Sequence, residues 1–187
     1  MADVSIYLDH NATGPVHPEV AEALVPVLRH VYGNPSAVYG VGQDARKAMA
    51  EARERVAGLL GASASQIVVT SGGTEANNLA IAGAFFGRRA TGARHLVVSA
   101  IEHPSVRETC FWLQRVHGAE VTVVGVRPDG RVDPDEVEAA LRPDTLLVAV
   151  MHANNETGVI QPVEEICRRL AGRGIRFHVD GVQAAGR

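Results

Sequence analysis

The sequence is almost without lysine. Of its 18 basic residues, Lys47 alone is a lysine and the rest are arginines. Any chemistry that needs a side-chain amine for a Schiff base therefore has a single candidate. Cysteine is nearly as scarce, with only Cys110 and Cys167, which excludes a disulfide framework. Both fall in stretches of helical pattern, where a small buried thiol is the default. No apolar run approaches the ~18 residues of a membrane span. The residues up to Tyr7 lack the basic stretch and apolar core of a signal peptide, so the expected location is cytoplasmic. A formal net charge of -3 gives no electrostatic reason to expect nucleic acid or an anionic membrane as partner. The histidines show no H-E-x-x-H or similar spacing, so no metal site is expected. Repeats, low-complexity tracts and charge blocks are absent too.

What remains is the composition of a soluble globular protein, 46% apolar and 21% charged over 187 residues, enough for one sizeable core. Apolar spacing predicts helices over 16–32 (bent at Pro26), 42–60, 74–86, 104–116, 134–141 and 163–171. The 42–60 helix carries Ala45, Met49, Ala52, Val56, Leu59 and Leu60 on one stripe. Short β-branched runs predict strands over 66–70, 95–99, 120–124, 145–151 and 176–180. Strands apolar on both faces and alternating with helices point to an α/β fold, a mostly parallel sheet flanked by helices.

The polar motifs fall just after these runs. Ser71-Gly72-Gly73-Thr74-Glu75 follows the first expected strand and Glu102-His103-Pro104 the second. Asn154-Asn155-Glu156-Thr157-Gly158 follows the fourth, and Asp180-Gly181-Val182-Gln183 closes the fifth. Ligands of open α/β sheets bind outside the carboxyl ends of the strands, so one shared crevice is expected.

Each motif has a functional and a plain reading. Gly73 and Thr74 at a helix start suit a phosphate; equally, Ser71 or Thr74 could simply cap the helix. The Walker lysine is missing, which argues against a P-loop. His103 could stack on a planar ring or move protons, or cap the helix opened by Pro104. Asp180, at the end of a buried strand, needs a partner. That partner could be a cationic ring nitrogen, or the aspartate could cap the next turn. The Asn154–Gly158 run could orient a substrate or shape a loop. Gly40-Val41-Gly42-Gln43-Asp44-Ala45 matches a loose dinucleotide pattern but follows no strand, so that reading is set aside.

Taken in order, Ile6-Tyr7-Leu8-Asp9-His10-Asn11-Ala12-Thr13, Gly33-Asn34-Pro35-Ser36, the Ser71–Asn78 run, Glu102-His103, the Met151–Gly158 run and His178–Gln183 resemble the pyridoxal 5'-phosphate (PLP) domain of the class V aminotransferase superfamily. Within it they resemble the cysteine desulfurases. The resemblance covers essentially the whole chain. It implies a fold type I PLP enzyme in which Gly73 and Thr74 hold the cofactor phosphate, His103 stacks on the pyridine ring and helps move protons, and Asp180 pairs with the ring nitrogen. Gln183 would bond the ring's phenolic oxygen, and Asn155 the cofactor–substrate adduct. It further implies L-cysteine as substrate and a homodimer. The sulfur, carried as an enzyme persulfide, would go to an iron–sulfur scaffold or other acceptor protein.

The sequence departs from the family at Gly14, where a threonine is usual, and at Gly181, where a bulkier or polar residue is common. The family's Schiff-base lysine, its nucleophilic cysteine and its C-terminal small domain would all lie beyond Arg187. Residues 1–187 are thus expected to be the N-terminal segment plus part of the PLP-binding large domain, inactive alone. Lys47, off the apolar stripe of its helix, is expected at the surface. The rival expectations are another class V enzyme, such as an aminotransferase or selenocysteine lyase, and a non-catalytic half-domain that partners a complete desulfurase.

Overall fold

A computed structural model describes residues 6–87 and 92–186. The chain divides into two compact units, residues 1–69 and 70–187.

In the first unit, α1 (Pro18–His30) opens on a proline, whose missing N–H costs nothing in a first turn, and continues through Pro26. The second helix, α2 (Gly40–Leu60), stops at Gly61, whose left-handed φ of 64° lets its N–H reach back to the Ala57 carbonyl. The expected stripe of α2 is only partly covered: Ala45 is buried, but Met49, Val56, Leu59 and Leu60 are exposed. Periodicity dictates the helix and its apolar face, not what covers that face. Lys47 is 79% exposed and makes one loose contact with Glu51 at 4.0 Å.

The strand expected over 66–70 does not form. Ser63 and Gln66 close a capping box around a 3-10 turn, Ala64–Gln66, and the Ser63 N–H donates to Gln66 Oε1 at 2.9 Å. Val68 and Val69 are exposed, and residues 67–70 join no ladder among the described residues. A β-branched run becomes a strand only when a neighbour completes its hydrogen bonds.

The second unit holds a four-stranded, all-parallel sheet in the order β2-β1-β3-β4: β1 (His95–Ser99), β2 (Glu120–Val124), β3 (Thr145–Ala149) and β4 (Arg176–His178). Helices α3 (Gly73–Gly87), α4 (Pro104–His117), α5 (Pro134–Ala139) and α6 (Val163–Leu170) cover it. The central strands β1 and β3 are buried at every position. Leu96 and Val98 turn toward Ile81, Phe85, Val106, Cys110 and Leu113 of α3 and α4. Val97 and Val148 turn toward Val137, Ile166 and Leu170 of α5 and α6. This alternation makes the layered α/β fold that the sequence predicts. His95, at the amino end of β1, is wedged between Thr145 Oγ1 and Thr122 Oγ1 at 2.8 Å each. Burial holds its pKa below the ordinary value.

The glycines near the start of α2 serve packing. A Cβ on Gly42 would lie 2.7 Å from the carbonyl oxygens of both Asn34 and Ala37, and one on Gly33 would strike the Val41 carbonyl. Arg46 closes the same loop by donating to the Pro35 carbonyl at 2.8 Å. A Gly-to-Ala change in an exposed helix interior normally stabilises by about 1 kcal/mol. Gly58→Ala, in the same helix with nothing near its Cβ, should behave so. Gly42→Ala should instead cost about 1–3 kcal/mol, because backbone atoms cannot yield to the new methyl. Urea denaturation of the two variants should give midpoints on opposite sides of the parent's.

Candidate functional site

The strand order reverses at the centre of the sheet. From β1 the chain moves outward to β2, and from β3 it moves the other way to β4, so the carboxyl ends of β1 and β3 diverge. Such a switch point is where open α/β sheets bind ligands. The loops leaving it carry Glu102 and His103 after β1, and Met151 to Asn155 after β3. Two bonds tie the loops: the Met151 N–H donates to Glu102 Oε1 at 2.6 Å, and the Asn154 side-chain amide donates to the Ile101 carbonyl at 3.1 Å. Beyond β4 the pairing runs on, with the His152 N–H donating to the Asp180 carbonyl at 2.9 Å.

Asp180 is 7% exposed. Its Oδ1 accepts the Val182 N–H at 3.0 Å, and its Oδ2 accepts the Asn77 side-chain amide at 2.9 Å. The aspartate therefore does shape the following turn, and it also receives a donor from α3. The Asn77 amide also donates to Ser105 Oγ at 2.9 Å, and Asn77 Oδ1 meets His178 Nε2 at 3.0 Å. Ser105 lies 2.8 Å from His103 Nδ1 through its hydroxyl, and its backbone N–H donates to the same nitrogen at 3.1 Å. His103 thus caps α4, as its plain reading expects, and is joined through Ser105 and Asn77 to the Asp180 network.

The Ser71–Glu75 turn does not follow a strand, but α3 brings it to the same edge. Among the described residues neither the Ser71 nor the Thr74 side chain accepts a first-turn N–H of the helix. The Ser71 hydroxyl and N–H both donate to Glu75 Oε2, at 2.6 and 2.7 Å, and the hydroxyl foremost holds the Glu75 carboxyl below its ordinary pKa. The first N–H groups of α3, at Gly73 and Thr74, have no carbonyl within their own helix. Gly73 faces Val182, whose Cγ2 would lie 2.8 Å from a Cβ there; the Ser71–Glu75 turn and the Asp180–Gln183 turn are thus packed together. Asn78 fastens the same helix start, donating to the Thr74 carbonyl and accepting from the Thr109 hydroxyl, both at 2.8 Å. Thr74, Asn78, His103, Ser105, Thr109 and Trp112 line part of an open groove of about 500 Å³.

Gly73, Thr74, His103 and Asp180 are therefore brought together. Gln183 is half-buried in the turn that Asp180 starts, where the Ala184 N–H donates to the Gly181 carbonyl at 2.9 Å. Asn155 is half-buried in the loop after β3, and no bond among the described residues joins it to His103 or Asp180. Its neighbour Asn154 organises that loop, accepting the Glu156 and Thr157 N–H groups at 3.0 and 2.9 Å and donating to the Ile101 carbonyl at 3.1 Å. Sequence reasoning assigns no role to Asn77, Ser105 or His178, although Asn77 and His178 stand inside motifs that carry the resemblance. The available signal was a polar residue one turn into α3, followed by an apolar run, and a serine two places after a capping histidine.

Glu102 is 4% exposed. Its Oε1 accepts the Ser99 hydroxyl at 2.5 Å as well as the Met151 N–H, whereas Oε2 has no hydrogen-bond partner among the described residues. Burial, with the nearby Asp180 charge adding to it, outweighs those two donors and pushes the carboxyl up to about 7. The same burial, reinforced by Glu102, pushes the Cys110 thiol up to about 12, leaving no thiolate at neutral pH. Among the described residues no cluster of three or more His, Cys, Asp or Glu is arranged to hold a metal ion.

A carboxyl harder to ionise when folded makes the fold lose stability as pH rises. Relative to Glu102→Gln, the parent should be favoured below the unfolded-state value of 4.5 and lose ground as pH climbs through about 7. At about 1.4 kcal/mol per pH unit the full loss is about 3 kcal/mol. His95 and His178, lowered by burial, lose stability in the opposite direction, but equally in both proteins. Urea denaturation of parent and variant across pH 4–8 reads the difference; parallel curves would show that Glu102 ionises freely.

The profile of the aminotransferase class-V family matches residues 6–187. A cysteine desulfurase IscS of Dictyoglomus turgidum is 44% identical over 181 residues, which are 97% of this chain and 45% of the relative. Among solved structures, a NifS-like protein superposes with a TM-score of 0.90 at 38% identity, covering 96% of this chain and 49% of that one. SspA in complex with cysteine superposes with a TM-score of 0.87 at 39% identity, covering 94% and 50%. The chain spans about half the length of the relatives it matches. A parallel α/β sheet, a polar network at its switch point and a family match over nearly every residue agree: the chain belongs to the aminotransferase class-V family.

Proposed function

We propose that this chain is the cofactor-cradling part of a PLP-dependent cysteine desulfurase, which moves sulfur from L-cysteine to an acceptor thiol and leaves L-alanine. In that reaction the C–S bond of the substrate breaks and an S–S bond forms on the acceptor, giving a persulfide for iron–sulfur assembly or thiolation. The observation that carries the reading is Asp180, a buried carboxylate met by two neutral donors. A cationic ring N–H would complete its charge pairing. When bound, PLP supplies an electron-accepting ring.

In this reading Asp180 keeps the ring nitrogen protonated. Gly73 and Thr74 take the phosphate at the start of α3, where unpaired N–H groups and the helix dipole favour an anion. His103 lies against the ring and holds a proton beside the reacting atoms, while Gln183 and Asn155 orient the ring oxygen and the substrate. In this reading the Schiff-base lysine and the acceptor cysteine lie outside residues 1–187: Lys47 is solvated on α2, Cys110 is a buried, protonated thiol, and Cys167 sits on α6, which packs on the sheet face opposite α3 and α4. The working enzyme is read as a cytoplasmic homodimer, and the 187-residue chain alone as catalytically silent. Among the described residues no helix is long and apolar enough to cross a membrane.

Fluorescence titration of the chain with PLP tests the cradle. The parent should bind reversibly, and Asp180→Asn should weaken binding about 30-fold, the scale for breaking a buried charged pair. Lys47→Arg should change nothing, and borohydride should fix no cofactor to the chain. An undiminished affinity in Asp180→Asn, or reduction onto Lys47, would overturn the assignment.

A further inference from the structure

We infer that Asn77 and Ser105 form a positioning relay that sets the tautomer of His103, so that this ring offers an N–H, rather than a lone pair, at Nε2. The catalytic meaning of the relay rests on the PLP reading above; its existence does not.

The argument follows the direction of each hydrogen bond. A carboxylate oxygen can only accept, so Asp180 Oδ2, 2.9 Å away, fixes which end of the Asn77 amide faces it. The nitrogen end must point there, and its second N–H then points at Ser105 Oγ, also 2.9 Å away. With that amide orientation settled, Asn77 Oδ1 is an acceptor, and His178 Nε2 at 3.0 Å must be its donor. Burial keeps His178 toward its neutral form, so its proton sits on Nε2.

Ser105 is the next link. Its oxygen accepts from Asn77, leaving its one proton for His103 Nδ1, 2.8 Å away. The Ser105 backbone N–H converges on the same nitrogen at 3.1 Å. Two donors on Nδ1 leave no room for a proton there, so the neutral ring carries its proton on Nε2. His103 lines the open groove, and its Nε2 has no partner among the described residues. A proton is therefore held at a defined atom beside the space that a ligand would fill. Asp180 sets this arrangement without touching His103, through the amide of Asn77. Residue 77 is accordingly a positioning residue: an aspartate of the same shape could not donate to Asp180 or to Ser105.

The tautomer can be read directly from the imidazole nitrogens of His103 in long-range proton–nitrogen spectra of the chain without cofactor. The parent should show the Nε2–H pattern. Ser105→Ala, which keeps the backbone donor and removes the hydroxyl, should raise the Nδ1–H population about fivefold, the worth of one neutral hydrogen bond. Ser105→Thr should restore the parent spectrum. Asn77→Asp, with the relay polarity reversed, should shift the population further in the same direction. An Nδ1–H ring in the parent would overturn the inference. So would an unchanged ratio in Ser105→Ala, because the capping N–H alone would then set the tautomer. Neither result depends on PLP binding, so loss of the relay and loss of the cofactor reading are separable.

Discussion

A carboxylate withdrawn from water at the end of a sheet strand must be met by donors, and at Asp180 the next turn's Val182 N–H and one distant side-chain amide, that of Asn77, meet it. Hydrogen bonds to a charged group contribute about 1.5–3 kcal/mol each, and leaving such a group unmet costs at least as much. Asn77 can reach Asp180 only if the first turns of α3 lie against the carboxyl edge of β4. That requirement carries Gly73 and Thr74 to the sheet edge although no strand leads into them. The close approach of Gly73 to Val182 is the steric side of the same constraint. The glycine is needed because the turn after Asp180 occupies the space a side chain would take.

The sheet supplies the other half of the geometry. Because β1 and β3 are central and buried at every position, they are the most rigid elements available. The residues that leave them are correspondingly well fixed. Glu102 locks the loops after both strands together through Met151, at the expense of a carboxyl that burial makes reluctant to ionise. A rigid edge with polar loops is what a ligand-orienting site needs, since side chains held by packed elements keep their positions when a ligand arrives.

Much of this was legible in the residues. The strands β1 and β2 and the helices α3 and α4 follow from apolar spacing and from their bounding prolines and glycines. His103 and Asp180 stand out because a polar residue at the end of an apolar run must have a purpose or a partner. The strand over 66–70 was misread because pattern can report a residue's preference for extended backbone but not the presence of a neighbour to pair with. The role of Asn77, which the sequence shows only as part of a motif, was not legible for a related reason. An asparagine inside a helix is unremarkable by sequence, and only the arrival of Asp180 and His178, about a hundred residues later in the chain, makes it the hub of a network. Ser105 was hidden by proximity, since beside a capping histidine it reads as ordinary first-turn chemistry.

The reactive side chains of this chain stand apart from the Asp180 network. Cys110 is buried against an acidic neighbour and holds its proton; Cys167, expected buried, is exposed on α6, which packs on the sheet face opposite α3 and α4; Lys47 stands in solvent on α2. By contrast, the members of that network are each fastened twice or more: Asp180 by two donors, Asn77 by three partners, His103 by two contacts to Ser105. A polypeptide that shares out its functions in this way invests its buried hydrogen bonds in polarity and placement, and leaves covalent chemistry to whatever is bound or brought beside it. That division fits the proposed cofactor cradle, in which these residues place and polarise a ligand rather than attack it.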